Sequence, residues 1–265
     1  MARLDPFDTI ASHANPTIAY VRSLQKRDRR AAERAFVVEG KRLLADALAA
    51  GVVPKVVLVR AGAADRLPRS LPPGVSARLV APAVFDRLSD VVTPQGVLAV
   101  VPFPELAPSA EATPLVLILD RLRDPGNLGT LLRAAAGAGA TEVLLSSESV
   151  DPFNPKVVRA GMGAHFRVPI RELTPDVAAE LRERVPLRVA TRADAPVPYD
   201  RIDWRGPAAV IVGAEAAGVG AETAGLATAD TSIPLAAGVE SLNAAVAGAV
   251  VLFEAARQRR AASGR

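Results

Sequence analysis

The chain has 265 residues, half of them apolar, which is enough to bury a substantial core in one large domain or two ordinary ones. It contains no cysteine and only two histidines, which excludes disulfides, zinc–thiolate sites and thiol nucleophiles and argues against a histidine-rich metal site. The N-terminus lacks an apolar segment of signal-peptide length, and no stretch reaches the ~18 apolar residues of a membrane span. We therefore expect a soluble cytoplasmic protein that needs no metal.

The formal net charge is +4, and the excess of basic residues lies in the first part of the chain. Residues 1–108 contain 15 Lys and Arg against 10 Asp and Glu, whereas residues 109–265 contain 17 against 18. Guanidinium groups match phosphate oxygens, so this segment can form an RNA-binding surface. A solvated helix in an arginine-rich protein explains the charge equally well. The candidate RNA-binding residues are Arg22, Lys26, Arg29, Arg30, Lys41 and Arg42.

The first hundred residues alternate between helical and strand-like segments, which predicts a small α/β domain. Asn15 followed by Pro16 is typical of a helix start, and we predict a helix over residues 15–30. The other predicted elements here are strands at 36–39, 55–59, 76–80 and 96–101, and helices at 41–50 and 82–88.

Residues 102–114 contain four prolines, a composition typical of an extended linker. We therefore predict a first domain over residues 1–108 and a second over 115–265. Strands and helices alternate again in the second domain, which predicts a mostly parallel α/β sheet. The predicted strands are 115–119, 142–145, 166–170, 188–191, 208–212 and 231–234, and the predicted helices are about 128–138, one opened by Thr174-Pro175, and 241–260.

Three segments of the second domain place glycine or proline beside isolated polar residues, next to apolar runs. Such turns bring bare backbone close to a ligand while one side chain does chemistry. Ligands of open α/β sheets bind at the carboxyl ends of the strands, so these segments are candidates for one common site. They are Asp124–Arg133, Gly213–Gly220 and Ile233–Asn243.

Together the three segments resemble the motifs of the SpoU (TrmH-type) RNA 2′-O-methyltransferases of the SPOUT superfamily. The first has the family's spacing of Asn, Gly and Arg, the second its Gly-x-Glu-x-x-Gly loop, and the third its Ile-Pro-Met…Glu-Ser-Leu-Asn signature. This sequence departs from the pattern at Ala216, Val219, Leu235 and Ala244-Ala245, where Gly, Leu, Met and Val-Ser are usual. Alanine at position 216 costs energy if that residue needs a positive φ.

The resemblance implies an enzyme that uses S-adenosylmethionine to methylate a ribose 2′-hydroxyl of RNA. It also implies a deep trefoil knot in the second domain and a homodimer formed through that domain, whose active site can borrow residues across the interface. Cofactor recognition through the main chain would explain why no charged cofactor motif is visible. The residues carried over are Asn127, Arg133, Glu215, Ser241 and Asn243 for catalysis, and Gly213, Gly218, Ile233 and Leu242 for the cofactor.

The N-terminal domain resembles the ribosomal-protein-like RNA-binding domain that many members of this family carry. The resemblance rests on Asn15-Pro-Thr-Ile and on Phe36-Val-Val-Glu-Gly-Lys-Arg-Leu-Leu44. It favours ribosomal RNA of the large subunit as substrate, with transfer RNA as the alternative. An RNA-binding or ribosome-assembly protein with an inactive methyltransferase domain is the alternative function. A nicotinamide-dependent enzyme ranks far behind, because the glycine fingerprint is missing.

Several of these residues also have a purely structural interpretation. Asn127, Ser241 and Asn243 can serve as helix N-caps, and Arg133 can be an ordinary surface residue. His165 fits a packed or capping histidine better than a general base. As a catalytic group, Arg133 has two open roles, assisting deprotonation or stabilising alkoxide charge. The second is physically easier because a guanidinium hardly loses its proton.

Overall fold

A computed structural model of the chain describes residues 9–68, 71–89, 91, 93–108, 113–214 and 218–264. The helices are α1 (Pro16–Ser23), α2 (Arg27–Glu33), α3 (Lys41–Ala49), α4 (Pro82–Phe85), α5 (Pro125–Ala138), α6 (Pro155–Gly161), α7 (Pro175–Arg184), α8 (Ala221–Ala224) and α9 (Ala244–Ala262). The strands are β1 (Ala35–Glu39), β2 (Val56–Arg60), β3 (Ala77–Val80), β4 (Val97–Pro102), β5 (Leu115–Leu119), β6 (Glu142–Leu145), β7 (Ile170–Glu172), β8 (Leu187–Thr191), β9 (Ala208–Val212) and β10 (Ala229–Thr231). Across these ranges, no helix is both long and apolar enough to span a membrane.

The chain divides into two compact units. The first comprises Met1–Glu105 and Phe153–Phe166, and the second comprises Leu106–Pro152 and Arg167–Arg265. The first boundary lies inside the proline-rich segment 102–114. The division differs from the expected one because the segment around α6 belongs to the first unit, not to the second.

The first unit is built on a mixed sheet with the strand order β1-β4-β2-β3. Strand β4 pairs antiparallel with β1 and β2, and β3 pairs parallel with β2. Because successive side chains of a strand point to opposite faces, the sheet contributes to two core clusters. Phe36 and Val38 lie in one cluster, and Leu58 and Leu98 lie in the other. The sheet is thus covered on both faces, as the predicted α/β class requires.

Aromatic packing explains why the α6 segment belongs to the first unit. The ring centroid of Phe36 lies 5.0 Å from that of Phe153 and 5.9 Å from that of Phe166. Phe153 also stacks on Phe103, with 3.8 Å between the centroids and 11° between the planes. The predicted strand at 166–170 is wrong for this reason: Phe166 ends a 3-10 turn of this cluster, and strand β7 begins only at Ile170.

The predicted helix at 15–30 is interrupted between α1 and α2. Asn15 caps α1 as expected, since its side chain accepts from the backbone N–H of Thr17 at 2.9 Å. Arg30 stabilises the interruption, since its buried guanidinium Nη1 donates to the carbonyls of Leu24 and Gln25, each at 2.8 Å. The two carbonyls accept hydrogen bonds from the buried guanidinium at the point where the chain turns between α1 and α2. Local sequence preference does not report such a contact.

The second unit is built on a sheet with the strand order β10-β8-β9-β5-β6-β7, and each described pairing in it is parallel. The two central strands, β5 and β9, are fully buried, as their continuous apolar sequences predict. Helix α9 packs against β9 and α5. Parallel pairing places the carboxyl ends of β8, β9, β10 and β5 at one edge of the sheet.

The last turns of α9 are held by the guanidinium of Arg259. Its Nε donates to the carbonyl of Trp204 at 2.9 Å, and its Nη1 donates to that of Thr113 at 2.6 Å. Its Nη2 donates to the carbonyls of Pro114 and Gly206, at 3.1 and 2.6 Å. One side chain therefore connects the last helix to the segments that precede β5 and β9.

Replacing Arg259 with methionine keeps an unbranched apolar stem and removes all these donors. We expect the free energy of unfolding to fall by about 3 kcal/mol, because hydrogen bonds from charged donors contribute roughly 1.5–3 kcal/mol and partly buried carbonyls are left unpaired. Urea unfolding followed by circular dichroism measures the change. The matched control is Arg260→Met, at an exposed neighbouring position. Equal stability of the two variants would contradict this role of Arg259.

Candidate active site

A cavity of about 320 Å³ lies at the edge of the second unit where β8, β9 and β10 end and α9 begins. Its volume falls in the lower range of small-molecule sites, roughly 300–1,000 Å³. Thr191 and Thr231, the last residues of β8 and β10, form part of the lining. The location agrees with the rule that ligands of open α/β sheets bind at the carboxyl ends of the strands.

The segment after β9 forms one wall of the cavity with its backbone. Ala214 and Gly218 exchange two backbone hydrogen bonds, of 3.1 and 2.8 Å, so the chain folds back on itself directly after Gly213. A Cβ on Gly213 would collide with the backbone of Gly218 and Val219, so only glycine fits there. Gly218 has φ +60°, a conformation that also favours glycine. Glu215 and Ala216 lie outside the described residues.

The predicted cofactor residues are brought together in this cavity. Gly213 and Gly218 line it from the segment after β9, and Ile233 lines it from the segment after β10. Leu242 lines it from the segment before α9, together with Ser241, which we predicted as a catalytic residue. Residues that are up to 29 positions apart in sequence thus line one cavity. The spacing of the motifs does not by itself reveal this proximity.

The first and third segments meet through a pair of asparagines. The side-chain Nδ2 of Asn243 donates to Oδ1 of Asn127 at 3.0 Å. The Oδ1 of Asn243 accepts from the backbone N–H groups of Ala245 and Val246, at 2.9 and 3.2 Å, and caps α9. The structural interpretation of Asn243 as an N-cap is thus correct, and the same side chain contacts Asn127 as well.

Helix α5 begins three residues earlier than predicted, so Asn127 is not its N-cap. Asp124 is the cap, because its Oδ1 accepts from the backbone N–H of Asn127 at 2.8 Å, and Pro125 occupies the first turn. Asn127 therefore lies in the first turn of α5, and its side-chain Oδ1 accepts from Asn243 there.

Sequence reasoning missed a buried carboxylate that fixes the second segment. Asp120 follows β5 and is 3% exposed. Its Oδ2 accepts from the backbone N–H of Gly220 at 2.7 Å, and its Oδ1 accepts from the hydroxyl of Thr223 at 2.9 Å. Arg121 completes its environment, with Nε 3.1 Å from Oδ2. A single acidic residue at the end of a wholly apolar strand was the available signal.

Two charged residues of the cavity were also missed. Arg192 and Asp194 follow β8 and line the cavity, with 3.5 Å between Nε and Oδ1. Their side chains are 50% and 82% exposed, so they belong to the rim. Their position directly after strand β8 was a signal that could have identified them, although neither residue belongs to one of the three motif segments.

Arg133 is not part of the cavity lining within a single chain. It lies on the exposed side of α5, and the described residues offer its guanidinium no hydrogen bond or ion pair. A single chain therefore does not place Arg133 at the cavity, and its predicted catalytic role stays a prediction.

The candidate RNA-binding residues of the first unit divide into two groups. Arg30 is buried and engaged by backbone carbonyls, so it has to be removed from the set. Arg29 is exposed and pairs with Glu33 at 3.1 Å. The exposed candidates that remain are Arg22, Lys26, Arg29, Lys41 and Arg42.

His165 is buried, and its ring centroid lies 5.9 Å from that of Phe36. This agrees with the interpretation of His165 as a packed histidine.

Known proteins match both parts of the chain. The profile of the SpoU rRNA Methylase family matches residues 114–253, and that of the MRM3-like substrate binding domain matches residues 15–99. The chain is 38% identical to rRNA methyltransferase 3, mitochondrial, of Mus musculus, over 85% of this chain and 68% of that protein. It is 32% identical to the 23S rRNA (guanosine(2553)-2′-O)-methyltransferase RlmP of Bacillus subtilis, over 92% and 97%. An AdoMet-bound rRNA methyltransferase from Sinorhizobium meliloti superposes with a TM-score of 0.80 at 33% identity, over 96% and 98%.

Gly213→Ala is expected to displace the backbone wall of the cavity, because the added methyl group collides with main-chain atoms that cannot rotate away. We expect affinity for S-adenosylmethionine, measured by calorimetry, to fall at least about tenfold, or 1.4 kcal/mol. Gly206→Ala is the matched control, since its Cβ would meet no atom within 4 Å. Unchanged affinity in Gly213→Ala would show that this wall does not contact the ligand.

Proposed function

The chain belongs to the SpoU rRNA methylase family, and we propose on this basis that it transfers the methyl group of S-adenosylmethionine to a ribose 2′-hydroxyl of ribosomal RNA. The observation that carries the proposal is the convergence of separate motif segments on one cavity at the carboxyl ends of the strands. Large-subunit RNA is the proposed substrate, since the Bacillus subtilis relative is named for 23S rRNA. We place the reaction in the cytoplasm for the same reason.

The residues of the cavity fit S-adenosylmethionine in shape and in charge. Gly213 and Gly218 line the cavity without side chains, so their backbone amides and carbonyls are open to a ligand. We assign cofactor contacts to Gly213, Gly218, Ile233 and Leu242. The amino-acid part of the cofactor carries a carboxylate and an ammonium, and Arg192 and Asp194 offer charges of both signs at the rim. Bound there, the cofactor supplies an electrophilic methyl group.

The chain has to orient a weak nucleophile and manage one proton. The hydrogen-bonded pair Asn127 and Asn243 holds the segment before α9 against the start of α5, which fixes the edge of the cavity where the ribose is to lie. Ser241 lines the cavity beside them and offers a hydroxyl to the substrate. Glu215 is assigned to the same site from the family motif. We assign to the guanidinium of Arg133 the stabilisation of the developing alkoxide or of an adjacent phosphate, the physically easier of its two roles.

We also propose that the protein is a homodimer formed through the second unit. Thr130, Arg133 and Gly137 lie on one exposed side of α5, at helical spacing. On α9, Val246 and Phe253 are 49% and 45% exposed. A Cβ on Gly137 would lie 3.4 Å from the ring of Phe253, so the two sides form one surface. The exposed apolar side chains of Val246 and Phe253 support a protein interface at this surface, which also contains Arg133.

This interface supports a role for Arg133 across the dimer. Within its own chain Arg133 does not line the cavity, yet it lies on the surface that a second chain would cover. Each guanidinium would then act at the cavity of the partner. We further propose the trefoil knot of the family, supported by the return of the chain from the edge strand β10 to α9, which packs on the central strand β9.

Arg133→Ala is expected to lower methyl transfer to ribosomal RNA by at least about 100-fold, the usual effect of removing a group that stabilises transition-state charge. S-adenosylmethionine affinity should stay within twofold, because the residue does not line the cavity. Incorporation of labelled methyl groups measures the first and calorimetry the second. Arg182→Ala, on the exposed side of α7, is the matched control and should keep normal turnover. Near-normal turnover of Arg133→Ala would refute the assignment.

Mixed dimers of Arg133→Ala and Gly213→Ala test whether Arg133 acts across the interface. At an S-adenosylmethionine concentration well below the dissociation constant of Gly213→Ala, each variant by itself lacks one working component of every site. A mixed dimer combines an intact cavity on one chain with an intact arginine on the other. After the two variants are unfolded together and refolded, about a quarter of wild-type activity should return, since half of the dimers are mixed and each has one complete site. A refolded mixture without activity would place Arg133 in the site of its own chain.

A further inference from the structure

A second, smaller cavity of about 90 Å³ lies in the first unit, beside β1 and α6. Its walls are mostly apolar and include Val37, Leu43, Leu98 and Val158. The cavity has less than a third of the ~300 Å³ at which sites for cofactors and drug-sized ligands begin. At roughly 30 Å³ per water molecule, it has room for about three waters, or for a single planar ring.

The polar groups of this cavity are held in fixed positions. The carboxylate of Glu39 accepts from the hydroxyl of Ser89 at 2.8 Å and from the backbone N–H of Gln95 at 3.0 Å. The side chain of Gln95 lies against Gly40, where a Cβ would collide with the carboxamide oxygen. Gly40 has φ +101°, so glycine is required there on both counts. Glu39 and Gln95 thus present a fixed acceptor and a carboxamide beside an apolar wall.

Two guanidinium groups contribute to the same cavity from different helices. Arg42 comes from α3 and Arg159 from α6. In the described part of the chain, neither pairs with a carboxylate, so both are available to an anion. The exposed lysines Lys41 and Lys156, at the first turns of the same helices, add positive charge nearby. A ring-sized apolar cavity with a fixed acceptor and surrounding cations suits a base attached to phosphates.

We propose that this cavity binds one unpaired base of the RNA substrate, with Arg42 and Arg159 contacting the phosphates on either side. The proposal rests on the proposed function, since it takes RNA to be the substrate. Val37, Leu98 and Val158 cover the ring, and Glu39 accepts a hydrogen bond from the edge of the base. An acceptor carboxylate suits a base with an exocyclic amino group, such as cytosine. The cavity therefore recognises an extruded nucleotide and not only a charged backbone.

The test compares two RNA probes that carry the same phosphates. Fluorescence anisotropy of the full chain is measured with a labelled oligocytidine of twelve nucleotides and with an abasic strand of the same length. Because stacking and burial of one base contribute roughly 1–3 kcal/mol, we expect the oligocytidine to bind about tenfold more tightly. Val91→Phe, which places a ring in the cavity, should reduce this preference below about threefold and leave abasic binding within twofold.

Val53→Phe is the matched control, because Val53 is 53% exposed and does not line the cavity. It should keep the preference for the base-bearing probe. A Val91→Phe variant that keeps the preference would overturn the assignment of the cavity. Equal affinity of the wild-type chain for the two probes would also overturn it, while leaving RNA binding and methyl transfer intact. Absence of binding to either probe would count against the RNA function as a whole.

A second measurement uses the unaltered chain and does not depend on the folding of any variant. An oligocytidine built from 5-iodocytidine, a photoreactive base that keeps the exocyclic amino group, is cross-linked by ultraviolet light and the attached peptides are identified by mass spectrometry. We expect attachment to the peptides that contain the lining residues of two separate parts of the sequence, which are Leu88, Val91, Gln95 and Leu98, and Pro155, Val158, Arg159 and Met162. Attachment confined to other peptides would contradict the proposal.

Discussion

The arrangement of the second unit depends on a single planar amide, the side chain of Asn243. Its oxygen accepts from the backbone of Ala245 and Val246 and so fixes where α9 begins. Its nitrogen donates to Asn127 and so fixes that helix start against α5. An aspartate would keep the cap but lose the donor, and a serine is too short to reach both partners. The same group therefore has a structural role and a role in the site.

Backbone geometry, more than charge, shapes the cavity lined by Leu242 and Ala244, the neighbours of Asn243. The wall after β9 is held by its own hydrogen bonds and by the buried carboxylate of Asp120, and Gly213 lets the backbone of Gly218 and Val219 approach closely. This explains why a site for a charged cofactor is nearly neutral in sequence. The charge that RNA requires is concentrated in the first unit, where Arg42 and Arg159 flank a cavity of their own. In this account the cofactor is bound mainly by backbone groups, whereas the RNA is bound mainly by arginine side chains.

Sequence patterns predicted best where a single physical requirement dominates. The strands at 115–119 and 208–212 were predicted at their observed bounds, because a strand buried on both faces has to be continuously apolar. The errors arise where distant residues decide. Arg30 stabilises the interruption between α1 and α2 through carbonyls that no local rule connects to it, and the segment 153–166 joins the first unit through aromatic packing. Asp120 escaped notice because its partners lie 100 and 103 positions further on.

The most direct test of the central claim is to identify the product of the reaction. The purified chain is incubated with ribosomal RNA lacking modifications and with S-adenosylmethionine that carries a labelled methyl group. The RNA is then digested to nucleosides and analysed by mass spectrometry. We predict that the label appears in one 2′-O-methylated nucleoside of the large-subunit RNA. Label on a base, or no transfer to RNA by a chain that binds the cofactor, would contradict the account.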